Sequence, residues 1–293
     1  MKKLFSIINF FLFVFSTCMA DIKQQNSIIL FTNARNEKNM KEWAAHHLLL
    51  GFDFVYIFDH KSDKPLVEEF ENFDARVTIE RCEWDNPVKI PLMTHAVDLA
   101  KNLNASWMLY LDADEFLVLN DFTHVQELLD AFSHADSIGI NWLFFGSNYH
   151  VKEPKGLIID NYTRSELLLN HHIKTFVRPL EAVRINNPHY YRLKNPEKMY
   201  TINNKTADPQ KAYFNKWETE YFHAPAYIAH FVNQSEETYF SRKVSLPRDD
   251  IGLFREQAPN IHLEFNDIEN LSVKKKYSSQ VKAFLEKYSY DEN

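Results

Sequence analysis

Ser106–Phe116 reads SWMLYLDADEF. Ser106 to Leu111 run without polar alternation, which is the pattern of a strand buried on both faces. Asp112, Ala113, Asp114 and Glu115 follow at once. Ionised carboxylates do not belong in such a core, so the strand is expected to stop at Asp112, where a sheet edge opens into a cleft. In extended chain, with its period of two, Asp112 and Asp114 face the same way. Two carboxylates side by side repel unless a cation lies between them, and hard oxygen donors suit Mg²⁺ or Mn²⁺. A D-x-D triplet alone is more often a solvated turn or a helix start than a metal site. What favours a ligand site is the buried strand in front of it, because open α/β sheets bind ligands at the carboxyl ends of their strands.

The flanking sequence supplies the rest of such a sheet. Ser27–Phe31 is an apolar run ending in Arg35, Asn36 and Glu37, and Met40, Trp43, Ala44, His47 and Leu48 then recur at helical spacing up to a stop at Gly51. Phe54–Phe58 is a second strand, delivering Asp59 to Asp63. Arg76–Glu80 is a third, and a helix around Met93–Leu103 leads back to Ser106. This succession predicts an α/β fold with a mostly parallel central sheet flanked by helices. Right-handed crossovers then bring the loops at 35–37, 59–63 and 112–115 to one edge. Further strands are expected at Ser137–Phe145, Ile173–Val177 and Tyr227–Val232, a loop-like stretch at Tyr200–Tyr221, and a terminal helix within Asp267–Tyr288. No low-complexity linker intervenes, so residues 27–293 read as one domain: a ligand-binding half at 27–120, a second half at 137–250 and the helix at 267–288.

Composition narrows the function. Only 5 glycines occur among 293 residues, and neither G-x-G-x-x-G nor G-x-x-x-x-G-K is present, so a nucleotide must be held without a glycine-rich cradle. A net charge of −7 with no basic stripe argues against nucleic acid as a partner. Residues 1–20 join Lys2 and Lys3 to an uncharged, Phe-rich run over 4–20, the pattern of a signal peptide or short signal anchor. If that segment is used, the protein is membrane-associated or enters a secretory pathway; if translation starts at Met19, it is cytoplasmic.

Several motifs in order resemble a known family. Arg35-Asn36-Glu37 with Glu42-Trp43 and His47, Phe58-Asp59 with Ser62-Asp63, Trp107 with Asp112-Ala113-Asp114-Glu115, Trp142 with Phe145-Gly146-Ser147, Ile173-Lys174 with Arg178-Pro179, Asn187-Pro188-His189, and His230-Phe231 with Ser235 and Lys243 are together similar to the family 2-like and family 92-like glycosyltransferases of the GT-A fold. The resemblance covers roughly residues 27 to 250. It implies a nucleotide-sugar donor, a glycan or glycolipid acceptor, Mn²⁺ or Mg²⁺, and inversion at the anomeric carbon.

The resemblance also implies roles. Asp112, Asp114 and His230 are the expected metal residues, with Asp114 the direct ligand; Arg35, Asn36, Glu37, Asp59 and Asp112 are expected on the donor, and Ser235 and Lys243 near its diphosphate. Trp142, Phe145 and His150 are candidates for the acceptor side, since sugars stack on aromatic faces. The base that an inverting transfer needs is unassigned among Glu115, Asp160, Glu166 and Glu181. Two other readings use the same acids: a metal-dependent nucleotidyl or phosphoryl transferase, and a non-catalytic sugar-binding relative.

Overall fold

The computed structural model describes residues 26–208, 211–256 and 260–288. The expected leader or anchor at 1–20 lies outside them. Among the described residues no helix is long and apolar enough to cross a membrane.

The chain opens with β1 (Ile28–Ala34), α1 (Met40–Leu49), β2 (Phe54–His60), β3 (Val77–Cys82), α2 (Lys89–Asn102) and β4 (Trp107–Tyr110). It continues through β5 (Glu115–Leu119), α3 (Val125–Ala131), β6 (Ser137–Phe144), β7 (Ile173–Val177), β8 (Ala182–Asn187), β9 (Tyr190–Leu193), β10 (Met199–Thr201), β11 (Ala226–His230) and α4 (Ser272–Glu286). One sheet dominates, in the order β3-β2-β1-β4-β7-β6-β11-β5, with β10 added beside β6. β3, β2, β1 and β4 are parallel. β7 runs against both β4 and β6, and β5 runs against β11, so the sheet is mixed. This is an α/β architecture compatible with the GT-A fold.

Burial on both faces explains the unbroken apolar strands. Trp107 and Leu109 pack with α1 and α4 on one face, and Met108 and Tyr110 with α2 and the β8–β9 hairpin on the other. The local expectations differ from the structure in three places. β4 ends at Tyr110, two residues before Asp112, and the acids sit on a turn closed by the Glu115 N–H on the Asp112 carbonyl at 3.0 Å. Period two therefore does not govern Asp112 and Asp114. The second helix begins at Lys89, because Pro91 falls in its first turn, where its missing N–H costs nothing. The stretch after Tyr200 is not wholly irregular, since Met199–Thr201 pairs with Ser137–Gly139.

Helix α1 fastens the strand that follows the acids. Trp43 Nε1 donates to the Glu115 carbonyl at 2.7 Å, and His46 Nε2 donates to the Leu117 carbonyl at 2.8 Å. His47 Nδ1 donates to the Trp43 carbonyl at 2.8 Å, while its Nε2 accepts the Leu117 N–H at 3.2 Å. Glu42 accepts the N–H groups of Ile158 and Ile159 at 2.7 and 3.0 Å, which ties α1 to the second half. Gly51, at φ +93°, ends the helix in a left-handed turn that a side chain would strain.

His46 and His47 are fully buried, and burial holds His46 down at about 4 and His47 well below the ordinary imidazole value. Their folded values lie below the unfolded one, so unfolding takes up protons at mildly acid pH. The stability they contribute is complete above the unfolded value near 6.5 and is lost as pH falls towards 4. The slope is about 1.4 kcal/mol per pH unit for each ring. Both rings are expected to stay neutral down to pH 5 when their carbon-bound protons are followed by NMR. An ordinary midpoint near 6.5 would contradict this fastening.

Candidate active site

The parallel strands and β6 and β11 all end at one edge, because two antiparallel steps through β7 restore the direction of β4 in β6, and β11 runs parallel to β6. A cavity of about 360 Å³ opens there. Its wall carries Arg35 and Glu37 from the loop after β1, Asp112 and Asp114 from the turn after β4, Trp142 and Phe144 from the end of β6, and His230 from the end of β11. Lys174 reaches it from the start of the antiparallel β7, and Pro188 and His189 from the β8–β9 turn. The segment 242–250 closes one side.

The two aspartates have different partners. Asp112 Oδ2 lies 3.0 Å from Lys174 Nζ, and Asp112 Oδ1 accepts from Lys89 Nζ. Lys89 also donates to Asn33 Oδ1 at 2.8 Å. Burial pushes the Asp112 carboxyl up, but the two ammonium groups outweigh it and hold the acid far below the usual carboxylate range. Asp114 accepts from Lys243 Nζ at 2.7 Å through Oδ2, and its Oδ1 faces His230 Nε2 at 3.4 Å. It too stays well below the usual range, because Lys243 and His230 overcome the effect of burial. The structure thus divides the expected pair: Asp112 is shared by two lysines, while Asp114 faces the histidine and is the place that could take a cation.

The strand register sets that histidine. His230 pairs with Glu115 across the antiparallel β5–β11 ladder and with Phe144 across the parallel β6–β11 ladder. Glu115 is fully buried behind the turn; its Oε2 accepts the Asp112 N–H at 2.8 Å and its Oε1 stands 3.9 Å from His230 Nδ1. Burial raises Glu115 to about 7 against the pull of Lys174.

Of the remaining expectations, Arg35 and Glu37 reach the cavity. Glu37 pairs with Arg242, and burial, with Asp114 nearby, lifts its carboxyl to about 7. Asn36 instead braces two loops: its N–H donates to Ser62 Oγ at 3.0 Å and its side chain clasps Asp63. Asp59 is buried and holds its own loop, accepting from the Ser62 and Leu66 N–H groups and from Arg81 at 3.0–3.2 Å. Neither is on the cavity wall. Ser235 caps the helical turn Glu236–Thr238, Phe145 is in the core, and His150 contacts the Asn161 carbonyl.

None of the four candidate bases lines the cavity. Asp160 pairs with Lys282 at 2.5 Å, Glu181 with Lys194 at 3.8 Å, and burial near Asp267 and Glu264 raises Glu166 to about 7. The residues that sequence reasoning missed are Lys89, Arg242 and Asp249. Lys89 had a visible signal, a lone charge in the apolar run Val88–Leu92. Asp249 had none; it accepts from Asn33 Nδ2 at 2.6 Å, and its backbone carbonyl receives the Val88 and Lys89 N–H groups at 2.8 and 2.9 Å.

Comparison with known proteins identifies the family. The family model for glycosyltransferase family 92 matches residues 28–250. The chain is 26% identical over 187 residues to a glycosyltransferase family 92 protein of Oryza sativa subsp. japonica, covering 61% of this chain and 32% of that protein. It is 26% identical over 184 residues to one of Ricinus communis, covering 59% and 32%. The chain spans about a third of the length of the curated relatives it matches. A solved cytidylyltransferase from Leptospira borgpetersenii serovar Hardjo-bovis aligns with 40% of this chain and 53% of its own, at TM-score 0.27 and 11% identity, a likeness too slight to carry an argument. The family match runs through the strands that build the cavity and reaches both acids of the turn, Lys174, His230 and Lys243: this chain belongs to glycosyltransferase family 92.

Proposed function

We propose that this protein transfers a sugar from a nucleotide-diphosphate donor to a glycan or glycolipid acceptor, with inversion at the anomeric carbon. The observation that carries the reading is the charge of the cavity. Seven cations (Arg35, Lys89, Lys174, Arg242, Lys243, Arg248 and Arg255) line it against five carboxylates (Glu37, Asp112, Asp114, Asp249 and Asp250), in a chain whose net charge is −7. Such a local excess, at the carboxyl ends of the parallel strands, suits a diphosphate. Arg35 has no ion-pair partner among the described residues and its Nε is buried without a hydrogen bond, so it is free to meet a phosphate oxygen.

A departing nucleoside diphosphate gathers negative charge on its phosphate oxygens. Ammonium and guanidinium groups already fixed in a partly closed cavity stabilise that charge without reorganising. Among the described residues no group of three or more His, Cys, Asp and Glu side chains could hold a metal. A pair of donors nonetheless fits Mg²⁺ or Mn²⁺, which bind through one or two carboxylates together with substrate phosphates. Asp114 and His230 would hold the ion, and it would supply Lewis-acid stabilisation of the leaving diphosphate. Asp112 would keep Lys89 and Lys174 at the wall.

A thermal-shift screen of nucleoside diphosphates and nucleotide sugars, with and without Mn²⁺, tests this. One nucleotide base is expected to stabilise the protein, more strongly with metal, by about 2.7 kcal/mol when the ligand stands at 100 times its Kd. Stabilisation by a nucleoside triphosphate, with release of pyrophosphate on turnover, would replace sugar transfer with nucleotidyl transfer.

A further inference from the structure

The cavity has a second wall whose chemistry differs from the charged one. Trp142 and His189 line the cavity, their ring centroids 5.0 Å apart. His172 lies nearly parallel to Trp142, 5.6 Å away, and 5.5 Å from His189. From His172 the row continues to Phe214 at 5.9 Å and to Tyr213 at 6.5 Å. His172, Phe214 and Tyr213 lie outside the cavity wall, and Tyr213 is 38% exposed, so the row joins cavity-lining rings to one at the surface.

The two histidines are held in one tautomer. His189 Nδ1 bonds the Ile173 carbonyl at 2.9 Å. His172 Nδ1 bonds Asn170 Oδ1 at 2.9 Å, an oxygen that also accepts the His172 N–H at 3.0 Å. Oxygens of this kind only accept, so each ring keeps its proton on Nδ1 and its lone pair on Nε2. Neither Nε2 has a hydrogen-bond partner among the described residues. Both rings are neutral at pH 7: burial, with Lys174 beside it, lowers His189 to about 4, and burial, with His171 beside it, lowers His172.

Aromatic faces interleaved with hydrogen-bond acceptors suit a ligand that offers both C–H faces and hydroxyl donors. A hydrocarbon tail would leave both lone pairs unmatched, and a phosphate would be repelled by them. We infer that Trp142, His189, His172 and Tyr213 form a track for an acceptor glycan more than one sugar long. The terminal sugar donates a hydroxyl to His189 Nε2 inside the cavity, and the sugar behind it lies against His172 and Tyr213. This rests on the sugar-transfer reading above and specifies its acceptor as an oligosaccharide.

The test uses the full chain with Mn²⁺ and whichever nucleotide sugar the thermal-shift screen selects, and offers neutral oligosaccharides of one to four sugars as acceptors. In the wild type, kcat/KM is expected to rise with acceptor length. Tyr213→Ala and His172→Ala are expected to reduce the preference for the four-sugar over the one-sugar acceptor about tenfold, equivalent to about 1.4 kcal/mol of lost contact. His172→Gln, whose side-chain oxygen restores an acceptor, should recover part of that preference, which a merely structural role would not require. Donor hydrolysis without any length preference would overturn the track and leave sugar transfer standing, as would use of lipid-linked single sugars alone. A wild type that neither binds nor hydrolyses any nucleotide sugar would overturn the transfer reading, and the track with it.

Discussion

Asp112→Ala is expected to destabilise the fold by about 3–5 kcal/mol, the usual cost of leaving buried charge unpaired. Its carboxylate is shared by Lys89 and Lys174, whose side chains are 6% and 2% exposed. Removing it leaves Lys174 with Glu115 at 3.4 Å and Lys89 with only the neutral Asn33 in hydrogen-bond contact. Both ammonium groups line the cavity, but their side chains are so nearly enclosed that little water can reach them in place of the carboxylate. Urea unfolding followed by circular dichroism measures the loss. Adding Lys89→Met to Asp112→Ala should recover stability, because a second truncation that removes the stranded charge relieves the first. A loss within 1 kcal/mol would show that Asp112 does not hold the two lysines.

Asp114→Ala should have nearly the opposite profile. Its partner Lys243 is 21% exposed and can turn to solvent, so the fold should lose only about 1 kcal/mol, as for a partly exposed ion pair. Function should suffer far more. Losing one preorganised oxyanion-hole donor typically costs about 10²–10³-fold in rate, and losing the cation that Asp114 would hold at the leaving phosphates should cost a comparable factor. We therefore expect metal-dependent donor hydrolysis to fall by about that factor, and the Mn²⁺-dependent part of nucleotide stabilisation to disappear. Surviving metal dependence in Asp114→Ala would remove Asp114 from the metal assignment. The contrast is the informative result: one acid of the triplet is expected chiefly to support the fold, the other chiefly to serve the chemistry.

The motifs that carried the family resemblance turn out to have mixed physical roles. Trp43 and His47 do not line the candidate cavity; they fasten the backbone of β5, which begins at the residue following Asp114. Asn36, Ser62 and Asp63 tie two loops together. Asp59 satisfies the N–H groups of its own loop. Asn36, Asp59, Ser62 and Asp63 are short polar residues at or just after strand ends, where the same side chain serves equally well to bind a ligand or to close a turn. Arg35 and Glu37, in the same loop as Asn36, do line the cavity, and nothing in their order distinguishes them from it.

Sequence by itself determined the fold class, the placing of β1, β2, β4, β6, β7 and β11, and the delivery of Arg35, Glu37, Asp112 and Asp114 to one edge; the place of His230 and Lys243 beside them came from the family resemblance. Strands buried on both faces are mostly apolar, and a cluster of charged residues directly after one tends to lie where an edge opens, although Asp59 and Glu115 are buried there. The antiparallel course of β7 and β5, the two lysines on Asp112 and the loop from Lys243 to Asp250 were decided only by the tertiary structure. A strand's direction leaves no trace in its hydrophobic pattern. A buried lysine is tolerated only where a carboxylate from another element arrives beside it, as Asp112 does for Lys89 from 23 residues away and for Lys174 from 62. The turn at Asp112–Glu115 shows both: its acids announce a site in one dimension, and the division of labour between them exists only in three.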